Sequence, residues 1–359
     1  MVVLSSCLNK HMFEIKYKIE DDISIQSFEL KNVDIVFTNL CYANTEYPVY
    51  FKIFKNNVDL SYLSKRHYWF NPVKINHIKE TFIYKNESVK VETPIFFFFD
   101  DLSGNYLHYF LESFPKINYF LRLKEKIPNL KLAMPDYVWN TSFIRESISL
   151  YFNNDLSDIL ILNENKNYEC DLVYIPSNIY LWPDKLNFSN IILDSFKKLS
   201  DKVSIDNEKE GVYISRQDIV KRKWWHDRHL KNELELIEKI KTDLNYDIIE
   251  LYDLDVYDKI KIFKTYKNII QTNGAAMINL LGCKPLTNFH IISHPLYSWS
   301  NVFLKNAADK LNVNFYEYDF GKLYGEVQSK CKNFDGDLSN INKPWEIINI
   351  QGLIDKLKR

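Results

Sequence analysis

From Val212 onward, short β-branched or aromatic runs alternate with amphipathic stretches, and this regularity constrains the fold more than any other feature of the chain. Val212-Tyr213-Ile214-Ser215 reads as a strand, followed by a basic loop and a helix over 232–244. Strands over 247–251, 268–271, 289–293 and 314–318 follow, with helices over 255–263, 275–281 and 299–311 between them. Strands separated each time by one helix predict a parallel sheet with helices on its faces. A looser alternation precedes it over 104–204, with strands at 130–134, 159–162 and 171–175 and helices at 141–152 and 188–199. The first hundred residues read instead as short β-prone segments, such as 34–37 and 89–91. The polar stretch 204–211 reads as a linker, and 345–358 as one amphipathic helix with Ile348, Leu353, Ile354 and Leu357 on its apolar face. The expected division is an N-terminal domain over 1–205, β-rich to 100 and α/β after it, a C-terminal α/β domain over 206–340, and a terminal helix over 341–359.

A length of 359 residues suffices for two such domains, and 46% hydrophobic content is enough to give each a core. A net charge of −1 gives no electrostatic footprint for nucleic acid, so such partners are not expected. The five cysteines are scattered without a Cys-x-x-Cys pair, which argues for reduced thiols in a cytoplasmic protein over a zinc or disulfide framework. The first nine residues lack the basic flank and long apolar core of a signal peptide, and the most apolar run, 94–99, is too short to cross a bilayer.

Two α/β units imply a cleft, and open sheets of this kind take ligands beyond the carboxyl ends of their strands. Three groups follow strands. In Asn105-Tyr106-Leu107-His108-Tyr109-Phe110-Leu111-Glu112-Ser113-Phe114-Pro115, His108 and Glu112 are four apart and share a helix face, where imidazole and carboxylate can hydrogen-bond. Pro115 would remove a backbone bond to Leu111 and kink the helix. The plainer alternative is an ordinary surface pair. In the loop after Ser215, Arg216 could fork onto a diphosphate with help from Lys223 or Arg228, and Trp224 or Trp225 could stack on a base or sugar; the plainer alternative is a solvated basic loop. In Thr272-Asn273-Gly274-Ala275-Ala276-Met277-Ile278-Asn279, a helix opening on small residues can accept an anion on its free amides, or can be a tight turn between core elements. It is neither a dinucleotide fingerprint nor a phosphate-binding loop of the ATPase type.

Together and in this order, the groups resemble glycosyltransferase family 61. Asn105, His108, Glu112 and Pro115 match its first motif; Ser215-Arg216 its strand end; Arg228, Leu230, Asn232 and Glu233 its helix opening; Gly274, Ala275 and Asn279 its small-residue turn. The tail, with 299–312 before Phe315-Tyr316, also resembles it. Two positions depart: Asn273 stands where the family commonly has His, and Ser293-His294-Pro295 where it often has Glu. The resemblance implies a GT-B architecture, two Rossmann-like domains facing a cleft, with a β-rich N-terminal addition. It implies inverting transfer of a xylose- or GlcNAc-like sugar from a UDP-sugar to a glycan or glycolipid acceptor, the latter reached by peripheral membrane association. Glu112 is the expected base, with His108 orienting it or substituting for it and Asn105 supporting the helix. Arg216, Lys223, Arg228, Asn273, Gly274, Ala275, Ala276 and Asn279 are expected around the donor. No Asp-x-Asp motif sits convincingly after a strand, Asp100-Asp101 and Asp253-Leu254-Asp255 reading as turns, so neither a divalent metal nor another cofactor is expected. Two rivals remain: a nucleotide-sugar epimerase of the same fold, which would need no acceptor, and a non-catalytic glycan-binding or scaffold protein.

Overall fold

The computed structural model describes residues 16–18, 27–37, 51–55, 58–59, 87–98, 104–163, 165–176, 190–218, 230–295, 301–323 and 345–358. The chain divides into two compact units, Met1–Ile144 with Asp155–Tyr180, and Arg145–Asn154 with Leu181–Arg359.

The first unit is built on one mixed sheet. Its strands are β1 (Lys16–Lys18), β2 (Ser27–Phe37), β3 (Phe51–Lys55), β4 (Val58–Asp59), β5 (Ser88–Val91), β6 (Ile95–Phe97), β7 (Lys131–Pro135), β8 (Ile159–Leu162) and β9 (Asn167–Pro176). The order is β4-β3-β2-β9-β6-β7-β8, with β1 on β2 and β5 on β9. β6, β7, β8 and β9 run parallel, and β2 joins β9 antiparallel, with Leu30 opposite Val173 and Ile35 opposite Tyr168. The β-rich beginning of the chain therefore extends the α/β sheet. Pro94 has no N–H to give, and it falls where pairing to β9 passes from β5 to β6. β6 is buried at all three residues, as an interior strand with both faces covered must be.

In chain order the helices of this region are a short turn α1 (Tyr106–His108), α2 (Lys116–Lys124), α3 (Asp136–Trp139) and α4 (Ser142–Tyr151). Ile117, Phe120 and Leu123 recur at helical spacing on the buried side of α2, and Phe120 and Tyr119 each lie 5.8 Å from the Phe96 ring of β6. The unit boundary falls within α4.

The second unit carries the expected parallel sheet. Its strands are β10 (Lys209–Ser215), β11 (Asp247–Glu250), β12 (Tyr266–Thr272), β13 (Asn288–Ile292) and β14 (Asn314–Tyr318), in the order β11-β10-β12-β13-β14 with every pairing parallel. Counted from β10 this is the doubly wound order 2-1-3-4-5, whose switch point lies between β10 and β12. The helices are α5 (Asn190–Ser200), α6 (Glu233–Leu244), α7 (Val256–Thr265) and α8 (Asn301–Leu311), with a tighter 3-10 segment, Ala275–Gly282. Asp255 caps α7, its carboxylate accepting from Asp258 N at 2.7 Å, so that acidic pair is a helix start. The 3-10 segment packs against α5, α7 and α8. On the other face, Tyr213, Ile270 and Ile292 of the sheet meet Leu236, Ile237 and Ile240 of α6.

Three sequence expectations are corrected. The stretch 204–211 is not all linker, because Lys209–Gly211 belong to β10 and Lys209 is fastened to Asp247 at 2.9 Å. The segment opening at Ala275 is 3-10 instead of α-helical, with Met277 N bonded back to Gly274 O at 3.1 Å. The C-terminal stretch is not one helix. Strand β16 (Trp345–Ile347), antiparallel to β15 (Gly321–Leu323), precedes helix α9 (Ile350–Leu357), and Ile348 is exposed. Backbone partners decide this: Lys231 N donates to Trp345 O at 2.8 Å, and the Asn232 side chain clasps Ile347 at both N (3.0 Å) and O (2.9 Å). Asn349 then caps α9, whose residues Ile350, Leu353, Ile354 and Leu357 face the core. Among the described residues no helix is long and apolar enough to cross a membrane.

Candidate functional site

In the first unit, Asn105 opens the helical segment after β6. Its side-chain oxygen accepts from Leu107 N at 3.0 Å and His108 N at 3.4 Å, which satisfies amides at the helix start and fixes the turn carrying His108. α1 passes directly into a π turn, Tyr109–Ser113, closed by Phe114 N on Tyr109 O at 2.8 Å. Pro115 has no N–H to continue the ladder, and α2 restarts at Lys116. The expected kink is thus taken up as a widened turn followed by a break. Phe110 meets Tyr109 and Phe114 edge-on, Tyr109 and Phe114 are tilted against each other, and Phe143 lies 5.2 Å from the Tyr106 ring and 5.5 Å from that of Tyr109.

His108 and Glu112 share a face, as their spacing predicts, with Nδ1 and Oε1 2.9 Å apart. They are not a surface pair: the Glu112 side chain is 1% exposed and that of His108 26%. With the carboxylate ionised and the imidazole neutral, the contact would put the proton on Nδ1 and leave Nε2 its lone pair. Glu112 is the buried partner and His108 the accessible one.

In the second unit, Arg216 follows the tip of β10 and Asn273-Gly274 the tip of β12, the two strands flanking the switch point. Arg216 Nη1 donates to Asn273 O at 2.5 Å. The backbone of Arg216 is fixed by Glu233, the first residue of α6, whose Oε1 accepts from Arg216 N at 2.8 Å and from the Tyr213 hydroxyl at 3.0 Å. Glu233 Oε2 accepts from Gln217 Nε2 at 2.7 Å. Burial, with the Glu233 carboxylate beside it, holds the Tyr213 phenol well above its usual range, so it remains a donor.

Gly274, Ala275 and Ala276 are half-exposed, a surface free of bulky side chains. Gly274 is extended, and a Cβ built on it would lie 3.2 Å from Arg216 Nη1. The Asn273 side chain is turned inward: Nδ2 donates to Asn301 Oδ1 at 2.8 Å and Oδ1 accepts from His294 N at 2.7 Å. Asn301 Nδ2 lies within bonding distance of Ser293 Oγ (2.8 Å) and Glu317 Oε1 (2.7 Å), and the Ser293 hydroxyl donates to the same carboxylate oxygen at 2.7 Å. Asn279 is fully buried and donates to Ala276 O at 3.0 Å, bracing the turn from within.

The structure therefore gathers Arg216, Asn273, Gly274, Ala275 and Ala276 at one switch point, and Asn105, His108 and Glu112 on one short helical segment. Lys223 and Arg228, with Trp224 and Trp225, lie outside the described residues. Sequence reasoning did not single out Asn301 or Glu317, and it matched Glu233 to a helix-opening motif without giving it a task. For Glu233 a signal existed, an acid opening a helix directly after the strand and loop that bear Arg216; for Asn301 and Glu317 none did, since Asn301 bonds Asn273 28 positions away, and Glu317 bonds Ser293 and Asn301 24 and 16 positions away. Among the described residues no group of three or more His, Cys, Asp or Glu is placed to hold a metal ion.

A parallel 2-1-3-4-5 sheet with a guanidinium and a small-residue turn at its switch point is the α/β arrangement in which ligands are ordinarily taken beyond the strand ends. Comparison with known families makes this specific: the family model described as Glycosyltransferase 61 matches residues 106–289. That span is just over half of the chain and contains Glu112, Arg216, Glu233 and Gly274; the chain belongs to this family and is a glycosyltransferase. A search of the curated proteins finds no match.

Proposed function

We propose that this glycosyltransferase has a GT-B architecture and moves a xylose- or GlcNAc-like sugar from a UDP-linked donor to a glycan or glycolipid acceptor, inverting the anomeric carbon without a divalent metal. The observation that carries the proposal is the Arg216 guanidinium fixed against Asn273 O beside the half-exposed Gly274–Ala276 run at the switch point. In inverting transfer the acceptor oxygen attacks the anomeric carbon as the bond to the diphosphate oxygen breaks, and the diphosphate leaves with the electron pair. Arg216 and the backbone amides near Gly274 would balance that developing charge, the role a metal ion plays elsewhere.

The acceptor hydroxyl must lose its proton as it attacks. Sequence reasoning gave that task to Glu112, with His108 orienting it or substituting for it; the burial of Glu112 favours His108 Nε2, with Glu112 holding the imidazole and balancing the positive charge it gains. A reducing cytoplasmic setting belongs to the same proposal, as Cys170 and Cys283 are buried thiols. The test uses the full chain with a panel of nucleotide sugars, first by thermal shift and then in transfer assays. Arg216→Ala should weaken UDP binding, and His108→Ala should lower turnover by about 10²-fold or more with UDP binding retained. Unchanged UDP affinity in the first variant removes the donor assignment, and near-normal turnover in the second removes the base.

A further inference from the structure

In a doubly wound sheet the helix after the first strand ordinarily offers its N-terminus to a ligand phosphate. Here that helix is α6, and its first residue is an acid, Glu233, of which 1% is exposed. The protein's own carboxylate occupies the end of the helix where an anion is favoured. Three donors converge on it, the Tyr213 hydroxyl, Arg216 N and Gln217 Nε2, and two of them come from the strand tip that presents Arg216.

Every one of these contacts is a donor, and a carboxylate is the side chain that only accepts. A carboxamide at this position would present one N–H₂, which Gln217 could meet only by turning its own amide over, and it would carry no charge at the helix start or against Arg216 N. The arrangement thus calls for charge as well as shape, and it locks the backbone at Arg216 while the guanidinium is located separately by Asn273 O. From this geometry we propose that Glu233 is a positioning residue of the donor site: it holds the β10 tip so that Arg216 meets the donor diphosphate, and it keeps that diphosphate from the N-terminus of α6, leaving the Gly274 turn as its seat.

This inference rests on the assignment of Arg216 to the donor, so the experiment reads both. UDP affinity is measured by calorimetry on the full chain, with thermal melts alongside, for Arg216→Ala, Glu233→Gln and the double variant. If Arg216→Ala leaves UDP affinity unchanged, the donor assignment itself fails and the proposal falls with it. With Arg216→Ala weakened, Glu233→Gln should lose about tenfold in UDP affinity, the scale of one charge-assisted hydrogen bond. The double variant should then bind no more weakly than Arg216→Ala alone, because Glu233 acts through Arg216. Unchanged UDP affinity in Glu233→Gln, or a loss that adds fully to that of Arg216→Ala, overturns the positioning role while the donor assignment stands. Should Glu233→Gln not fold, Gln217→Ala carries the test by releasing one carboxylate oxygen. A severalfold loss absent on the Arg216→Ala background is expected, and unchanged affinity or an additive loss overturns the proposal.

Discussion

Gly274 adopts an extended backbone that any residue can hold, so its lack of a side chain is a matter of space. A Cβ there would come within 3.2 Å of Arg216 Nη1 and 3.4 Å of Cζ, closer than carbon sits comfortably, and the guanidinium would have to give by a few tenths of an ångström. Gly274→Ala should therefore leave the melting temperature almost unchanged and weaken UDP binding by about three- to tenfold, since small displacements of a binding group cost affinity without unfolding anything. Calorimetry on the variant checks this, and wild-type affinity would show that Arg216 tolerates displacement. The same turn explains Asn273, which departs from the pattern the chain otherwise resembles. Its amide donates to Asn301 and its oxygen accepts from His294 N. A carboxamide has two donors and an acceptor on one short stem, whereas an imidazole cannot present the same set at that point. Asn273 thus belongs to a buried frame with Asn301, Ser293 and Glu317, and contributes to the site through its backbone carbonyl.

At the scale of elements, the segment over 105–124 shows how far local pattern reaches. Asn105 entered only through the family pattern and its capping role was not read, whereas the His108–Glu112 spacing and a disruption at Pro115 were legible, because each depends on residues within one turn. The π turn between them was not, since widening a helix by one residue leaves the i,i+4 pattern intact and is settled by how Tyr109, Phe110 and Phe114 interlock. Its consequence, a Glu112 turned into the core, was equally hidden, and with it the relative exposure of the two groups. The cap gives the test at this scale. Asn105→Ala removes the acceptor for Leu107 N and His108 N and should cost about 1 kcal/mol of stability, with turnover falling more than UDP affinity because the turn that frays carries His108. A thermal melt paired with a transfer assay reads both. Equal losses of turnover and UDP affinity would mean that the turn supports the fold and not the chemistry.

Across the whole molecule, the parallel sheet of the second unit was legible from its alternation, but what closes one of its faces was not. Trp345, Ile347, Ile350, Leu353, Ile354 and Leu357 all join the cluster formed by α6 with Tyr213, Ile270 and Ile292. Amphipathic spacing marked part of this stretch, yet β16 is a strand because it pairs with β15 and is held by contacts more than a hundred positions earlier: Asn232 grips Ile347, and Lys231 bonds Trp345. The matched span ends at residue 289, so this closing segment, with Asn301 and Glu317, lies beyond it. Deleting 345–359 would expose the apolar side of α6 and free Asn232, the neighbour of Glu233. Burial of several large apolar side chains is worth about 1.5–3 kcal/mol each, against a total stability of roughly 5–15 kcal/mol, so the truncated chain should lose its cooperative melt. Asn232→Ala keeps the apolar contacts and removes only the clasp on Ile347. It should fold with a loss of about 1–3 kcal/mol and bind UDP more weakly, because the start of α6 then moves with Glu233 on it. Thermal melts and UDP calorimetry on the two variants separate these effects. A truncated chain that melts cooperatively and retains UDP affinity would show that the C-terminal segment covers the second unit without holding its site.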